Sequence, residues 1–406
     1  MADGITRIAV EGFKSIAKRQ EIEIAPLTIL AGANSSGKSS IMQPLLMLKQ
    51  TLDATYDPGP LKIDGPNVTF TSTDEFLSKT EGNTRRNIRV DISAGDIFAF
   101  EFTFAGLEVA EQTYRVRDGS LTLRPRMSCE EVQEAAKGFG PTKPFAMNKL
   151  SVIQNRFLLN LGMSDPPYPV SSLLSPEPAI RGVIHVPALR GNSSRTYRAA
   201  AVGGSFPGTF DNYVASVILA WQGEQHNRSK DLDADLRCIG LAHSVSAHRN
   251  NVAIELRVGL VENRLDNIAD VGTGVSHILP VLVALRAAHQ FHLVYIEEPE
   301  IHLHPRSQTK LAKILAEAAK RGVRVVAETH SSLLLRAVQT LVAKDDLDPD
   351  LVRLHWFTRD AEGVTQVSSA KPDANGAFGD WPEDFGDVAL QSEQEYLDAV
   401  EDRLTS

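Results

Sequence analysis

The stretch Gly32-Ala33-Asn34-Ser35-Ser36-Gly37-Lys38-Ser39 decides the fold. It fits G-x-x-x-x-G-K-[ST] at every fixed position, the pattern of a phosphate-binding loop. Glycines at both ends let the backbone wrap closely around phosphates with its N–H groups inward, and a following helix adds the positive end of its dipole. Lys38 is then expected to reach the β- and γ-phosphates, and the Ser39 hydroxyl to ligate Mg2+. The flanks agree. EIEIAPLTILA before the loop reads as a strand run by alternation and β-branched content, as does ITRIAVEGF before that, and SSIMQPLLMLKQTL after the loop carries a helical pattern.

Outward from this loop, residues 56–68 are turn-rich. Over 87–124 the short runs NIRVDIS, IFAFEFTF, AEQTYRVRDG and SLTLRP, parted by Gly and Asp, predict an antiparallel meander. Helices are expected near 128–137 and 209–225, with irregular stretches between. From about 236 a regular pattern returns: a strand pair, a helix at 275–290, the strand FHLVYI, a helix at 305–321, the strand VRVVAE and a helix at 331–343. Strands alternating with helices imply parallel βαβ units. The class is therefore α/β: a P-loop NTPase sheet whose two halves are separated by a long insertion.

The strand FHLVYI runs into Glu297-Glu298-Pro299-Glu300. Adjacent carboxylates at the end of a buried strand are costly unless a cation or protons satisfy them. Beside a P-loop, one acid can hold Mg2+ through water and the next can orient or deprotonate the attacking water. Glu297 is accordingly assigned to the metal and Glu298 to water activation. His302 and His304 follow, but one short segment cannot supply a tetrahedral zinc site. VRVVAE ends in Glu328-Thr329-His330-Ser331, which places His330 at a strand tip beside the crevice, within reach of a γ-phosphate or the attacking water. Asp270-Val271-Gly272-Thr273-Gly274-Val275-Ser276 precedes an apolar helix, and glycines at a helix start offer N–H groups to an anion.

In order, GANSSGKSS, VGTGVSHILP, LVYIEEPEIHLHP and ETHS, with FKS after the first strand, resemble the ABC-type ATPase heads of the SMC, RecF and Rad50 group. The likeness extends to OLD-like bacterial AAA-family ATPases with a DUF3696-type C-terminus, which GDWPEDFGD resembles. It implies an ABC-type head with a mixed sheet, an antiparallel β meander and an inserted helical lobe. Residues 1–55 form the first half of the head, 56–235 the lobe, 236–345 the second half, and 346–406 a C-terminal segment with an acidic tail. It also implies ATP and Mg2+ as cofactors. Gly32, Ala33, Asn34, Ser35, Ser36, Gly37, Lys38, Ser39 and Ser40 would bind the nucleotide, Ser39 and Glu297 the metal, and Lys38, Glu298 and His330 would act in hydrolysis. Gly272, Thr273, Gly274 and Ser276 would form a signature loop on the γ-phosphate of a second subunit, the contacting hydroxyl being that of Thr273 or Ser276. Residues 300–305 would be the D-loop region, and a Q-loop candidate lies at Thr73-Asp74-Glu75.

Such heads dimerise head-to-tail around two ATP molecules, so the resemblance implies a homodimer or higher homo-oligomer. The biology it implies is a bacterial antiphage-defence or DNA-surveillance complex with a separate effector such as a nuclease. A RecF-like repair ATPase that binds DNA directly, or a scaffold that holds ATP without hydrolysing it, are the rivals. Salt-dependent DNA binding marks the first and absent turnover the second. No heptad run supports long coiled-coil arms.

Composition narrows the class further. The 406 residues are 42% apolar and 23% charged, ordinary for a globular protein. Two distant cysteines, Cys129 and Cys238, exclude a disulfide scaffold or a four-Cys zinc site. With no signal-peptide core and no apolar run near bilayer length, a cytoplasmic protein without membrane contact is expected. Nearly all of the net charge of −9 falls in residues 380–406, which hold nine acids against Arg403 alone. That tail reads as a solvated surface segment or a partner-docking element. Arg190, Arg195 and Arg198 with Tyr197 form either a phosphate contact or an ordinary surface loop.

Overall fold

Pro26 divides the run that reads as one strand in the sequence. With no N–H to donate and φ fixed, it ends one strand, Gln20–Glu23, and the chain restarts as Leu27–Gly32 in a different sheet. EIEIAPLTILA is thus two strands, and the turn at Pro26 carries the chain from an antiparallel layer into a parallel one. The computed structural model describes residues 4–80, 83–84, 87–95, 98–117, 119–137, 139, 150–164, 167–169, 175–188, 194–223, 228–261, 264–379, 394–395, 397–398 and 400.

The parallel layer orders its strands as Ile184–Val186, Leu293–Glu297, Arg324–Thr329, Leu27–Gly32, Val352–Arg359 and Thr365–Ala370, the last of them antiparallel. Alternate residues feed opposite cores. Leu27, Ile29, Ala31, Val294, Ile296, Val325 and Ala327 pack with the helices Thr273–Ala287, Pro305–Lys320 and Ser332–Ala343. Leu30, Leu293, Tyr295 and Val326 face the helix Lys38–Asp53 and the antiparallel layer. Burial on both faces explains why these strands read as near-continuous apolar runs. Edge strand Ile184–Val186 comes from the expected insertion and Val352–Arg359 from the C-terminal segment, so the sheet recruits strands beyond the motif-bearing stretches.

The antiparallel layer runs Gln20–Glu23, Arg7–Glu11, Asn87–Ala94, Phe98–Ala105, Glu108–Val116 and Gly119–Leu123. Its last four strands are the meander expected over 87–124, and alternation puts Ile88, Val90, Ile92, Phe100, Phe102 and Phe104 into the core. Helix Cys129–Ala136 opens on a capping box of Ser128 and Glu131. Over 209–225 the chain forms a 3-10 turn, Phe210–Tyr213, and the helix Val214–Gly223. The hairpin Leu150–Asn155/Leu158–Ser164 and the helix Arg228–Ile239 have no counterpart in the sequence reading. Both cysteines are free, and among the described residues no helix is long and apolar enough to cross a membrane. Most of the acidic tail, and GDWPEDFGD after Gly379, lie outside the described residues.

His355, on the strand beside Leu27–Gly32, is wholly buried. Its Nε2 lies 2.8 Å from the Glu23 carbonyl, which can only accept, so Nε2 carries the proton and Nδ1 accepts from Ser369 Oγ at 2.7 Å. Burial holds this imidazole below its usual range. As pH falls below about 6.5, the unfolded chain takes up a proton that the folded one refuses, and stability is lost at up to about 1.4 kcal/mol per pH unit. Urea melts at pH 7.5, 6.5 and 5.5 should show His355→Gln losing stability less steeply than wild type. Parallel profiles would mean that this ring does not carry the effect.

Candidate nucleotide site

The loop is built by its glycines and braced from outside. Gly37 has φ +107°, and a Cβ there would sit 2.3 Å from Thr365 Oγ1, so no other residue fits without displacing the wall. Thr365 Oγ1 donates to the Ser36 carbonyl and lies 2.8 Å from Ser15 Oγ. Ser15 is the serine of FKS, and Thr365 is a support that nothing in the sequence announces. Inside the loop, the Ser36 hydroxyl is buried with no partner among the described residues. Lys38, 3% exposed, lays its ammonium on the carbonyls of Gly32 (3.0 Å) and Ala33 (2.9 Å). Burial lowers the Lys38 pKa, while Glu328, Glu298 and Glu300 pull it upward, in that order.

Register then decides which side chains meet. Leu27–Gly32, Arg324–Thr329 and Leu293–Glu297 are consecutive parallel strands whose C-terminal tips lie together. They bring Lys38, Ser39, Glu298, Glu328 and His330 to one end of the sheet, where ligands bind in open α/β folds. Glu298 follows its strand in a left-handed conformation (φ 44°), unusual for a glutamate, and its N–H bonds the Glu328 carbonyl at 2.8 Å. Its carboxylate, about one-third exposed, stands 3.6 Å from His330 Nε2. Burial chiefly, then Lys38, holds His330 below the usual imidazole range, which keeps it neutral near pH 7. Glu300 is buried; its Oε1 accepts from Thr329 Oγ1 (2.6 Å) and from the His330 N–H (2.9 Å), while Oε2 has no partner among the described residues.

The carboxylate on Ser39 is one to which the sequence reading gave no role. Ser39 Oγ donates to Glu328 Oε1 at 2.9 Å, and the wholly buried Tyr295 hydroxyl donates to Glu328 Oε2 at 2.8 Å. Burial pushes Glu328 up to about 7. Glu297 instead receives His185 Nε2 (3.2 Å) on Oε1 and the Ala188 N–H (3.0 Å) on Oε2. Burial raises Glu297, but these donors together carry it below the usual carboxylate range. Asn67 fixes the tautomer. Its Nδ2 donates to the Gly208 carbonyl and therefore also to His185 Nδ1, so His185 Nε2 holds the proton it gives to Glu297.

The other candidates sort as follows. Gly272 caps the helix Thr273–Ala287 with no side-chain cap, a Cβ there would meet nothing within 4 Å, and of the first-turn N–H groups that of Val275 bonds the Gly272 carbonyl at 3.2 Å. Ser276 Oγ bonds the Thr273 carbonyl, and Arg195 pairs with Asp270 through both carboxylate oxygens (3.0 and 2.5 Å) just before that turn. Arg195 is thus an internal brace, while Arg190 lies outside the described residues. His304 Nδ1 caps its own helix and His302 packs on His277. Among the described residues no cluster of His, Cys, Asp and Glu suits a metal by itself. Glu75 bonds Thr71 within its own turn, a local role for the Q-loop candidate.

The donor set fits a nucleotide with a hard cation: a glycine cradle, a buried orphan hydroxyl, an ammonium, and hydroxyl and carboxylate oxygens side by side. Two family models match the sequence, "AAA domain, putative AbiEii toxin, Type IV TA system" over residues 184–336 and "AAA ATPase domain" over 4–98. No curated protein matches. Among solved structures, the SMC head bound to the C-terminal winged-helix domain of ScpA is 11% identical at a TM-score of 0.53, covering 91% of this chain and 98% of that one. The SMC head of Thermotoga maritima is 13% identical at 0.42, covering 90% and 98%. The Smc head of Pyrococcus furiosus with an extended coiled coil, bound to the C-terminal domain of ScpA, is 11% identical at 0.47, covering 98% and 99%. The first of these carries the likeness, which at that identity is one of fold. With the motif-bearing strands adjacent in one parallel sheet, two stretches of the chain match AAA-domain models, and its fold is like that of an SMC head.

Proposed function

We propose that this head binds and hydrolyses ATP, and that ATP joins two copies head-to-tail. The observation that carries the reading is the convergence of Lys38, Ser39, Glu298, Glu328 and His330 on the tips of three adjacent strands. Bound Mg2+ would neutralise charge on the β- and γ-phosphates. Ser39 would hold it with a neighbouring carboxylate, Glu297 in the sequence reading. Lys38 would leave the Gly32 and Ala33 carbonyls for the phosphates, and Glu298 would take the proton of the attacking water. Neutral His330 would hold the γ-phosphate or that water. The open turn at residues 272–276 would cap the γ-phosphate of the partner, with two uncapped N–H groups as donors.

We further propose that the dimer signals to a separate effector, such as a nuclease, in a bacterial complex that defends against phage. The matched family description that names a toxin–antitoxin system supports this, as does an SMC head of this fold solved with a second protein bound. Lys38→Ala removes the ammonium while leaving the sheet intact. Fluorescent-ATP titration should show affinity reduced on the order of tenfold to a hundredfold, from lost charge-assisted hydrogen bonds. In cells carrying the protein with its genomic neighbours, the same variant should lose protection in phage plating. Undiminished ATP affinity would overturn the nucleotide site, undiminished protection by the variant would uncouple defence from that site, and no protection by the wild-type chain would overturn the defence role.

A further inference from the structure

Glu328 and Ser39 are 289 residues apart in sequence yet share a 2.9 Å hydrogen bond. Ser39 is the hydroxyl that a P-loop offers to its cation, so a carboxylate bonded to that hydroxyl lies where the cation would be held. Three further observations fix its orientation. Glu328 is 6% exposed and sits at the end of the strand directly beside the P-loop strand, paired to Leu30. Its second oxygen is anchored by the Tyr295 hydroxyl, whose ring stacks on His185 at 5.5 Å and 11°. One strand further out, Glu297 has both oxygens engaged by His185 and the Ala188 N–H.

We infer that Glu328 is the carboxylate that faces the cation beside Ser39, and that Glu297, gripped by His185, positions the Tyr295–Glu328 pair from behind. The inference rests on the proposed nucleotide site and changes which acid does the holding. Its chemistry is economical. A buried carboxylate next to a hydroxyl is costly unless a proton or a cation satisfies it, and a divalent cation bound by Ser39 would satisfy this one. The hydroxyl of Ser39 would then give up its hydrogen bond to Glu328, leaving both oxygens to share the ion. Tyr295 and His185 act through the carboxylates and are positioning residues.

Glu328→Gln keeps shape: its carbonyl oxygen still accepts from one of the Tyr295 and Ser39 hydroxyls, and its amide nitrogen donates to the oxygen of the other, so the fold should survive; circular dichroism and thermal melts check this. The probe is Mn2+, followed by electron paramagnetic resonance with ATP present, beside fluorescent-ATP titration in EDTA. Glu328→Gln should weaken Mn2+ affinity about tenfold or more while nucleotide binding in EDTA is retained. Glu297→Gln, one shell removed, should weaken it less. Wild-type Mn2+ affinity in Glu328→Gln, or a larger loss in Glu297→Gln, would overturn the assignment while the nucleotide site stands. No fluorescent-ATP binding by the wild-type chain would overturn the nucleotide site and this inference with it. If Glu328→Gln does not fold, Glu328→Asp enters the same assay: it keeps the charge but withdraws it from Ser39, and unchanged Mn2+ affinity there is equally fatal.

Discussion

Glu298→Gln should bind ATP with near wild-type affinity and hydrolyse it about a hundredfold or more slowly. The amide has the carboxylate's shape but cannot take the water's proton, and a positioned general base contributes on the order of 10²–10⁴ in rate. The site makes this a clean substitution. Glu298 is one-third exposed and its backbone, rather than its side chain, ties the turn to Glu328, so stability should move by no more than about 0.5 kcal/mol. Its left-handed φ survives the change, since Gln and Glu differ only at the tip. Unable to leave the ATP state, the variant should accumulate as a dimer in light scattering with ATP and Mg2+. Wild-type phosphate release from this variant would move the base elsewhere in the cleft. Glu300, buried and raised by desolvation with one orphan oxygen, would be the next group to examine.

The local parts of this site were legible because their signals are local. A glycine cradle, a lysine and a serine must occur in sequence to wrap one phosphate, and the motif names them. The parallel strands read correctly since burial on both faces leaves an apolar run in the chain. Two kinds of feature were not legible. One is the change of layer at Pro26: apolar, β-type residues lie on both sides of it, so composition reads one run where the chain passes from one sheet to the other. The other is the lateral chain Ser39–Glu328–Tyr295 with Glu297–His185–Asn67, whose members come from five separate stretches. Strand order sets those meetings, and strand order is not written in any one segment. Glu328 stands two residues before His330 in the sequence. Only the insertion of its strand between the P-loop strand and the Glu297 strand turns that neighbour into the partner of Ser39.

Gly272→Glu should separate folding from dimerisation, moving them in opposite directions. A carboxylate at the N-cap of the 15-residue helix Thr273–Ala287 complements the helix dipole, which is worth about 0.3–1 kcal/mol. Space is no obstacle: nothing lies within 4 Å of a Cβ at Gly272, whereas one at Gly274 would press on the His302 carbonyl at 3.3 Å. The isolated subunit should therefore melt at or slightly above the wild-type temperature. Against a partner's γ-phosphate the same charge repels: two like charges about 4 Å apart at a protein surface cost about 4 kcal/mol, roughly a thousandfold in association. ATP-dependent dimers and turnover should both vanish. Mixing Gly272→Glu with Lys38→Ala then asks whether the site is shared. In the mixed dimer, the sound P-loop of the Gly272 variant faces the sound turn of the Lys38 variant, so one composite site is complete and part of the ATPase activity should return. Restoration requires that each subunit supply what the other lacks, which no site contained within one chain could do. Full turnover and ATP-dependent dimerisation by Gly272→Glu alone would remove this turn from the nucleotide, and with it the head-to-tail arrangement.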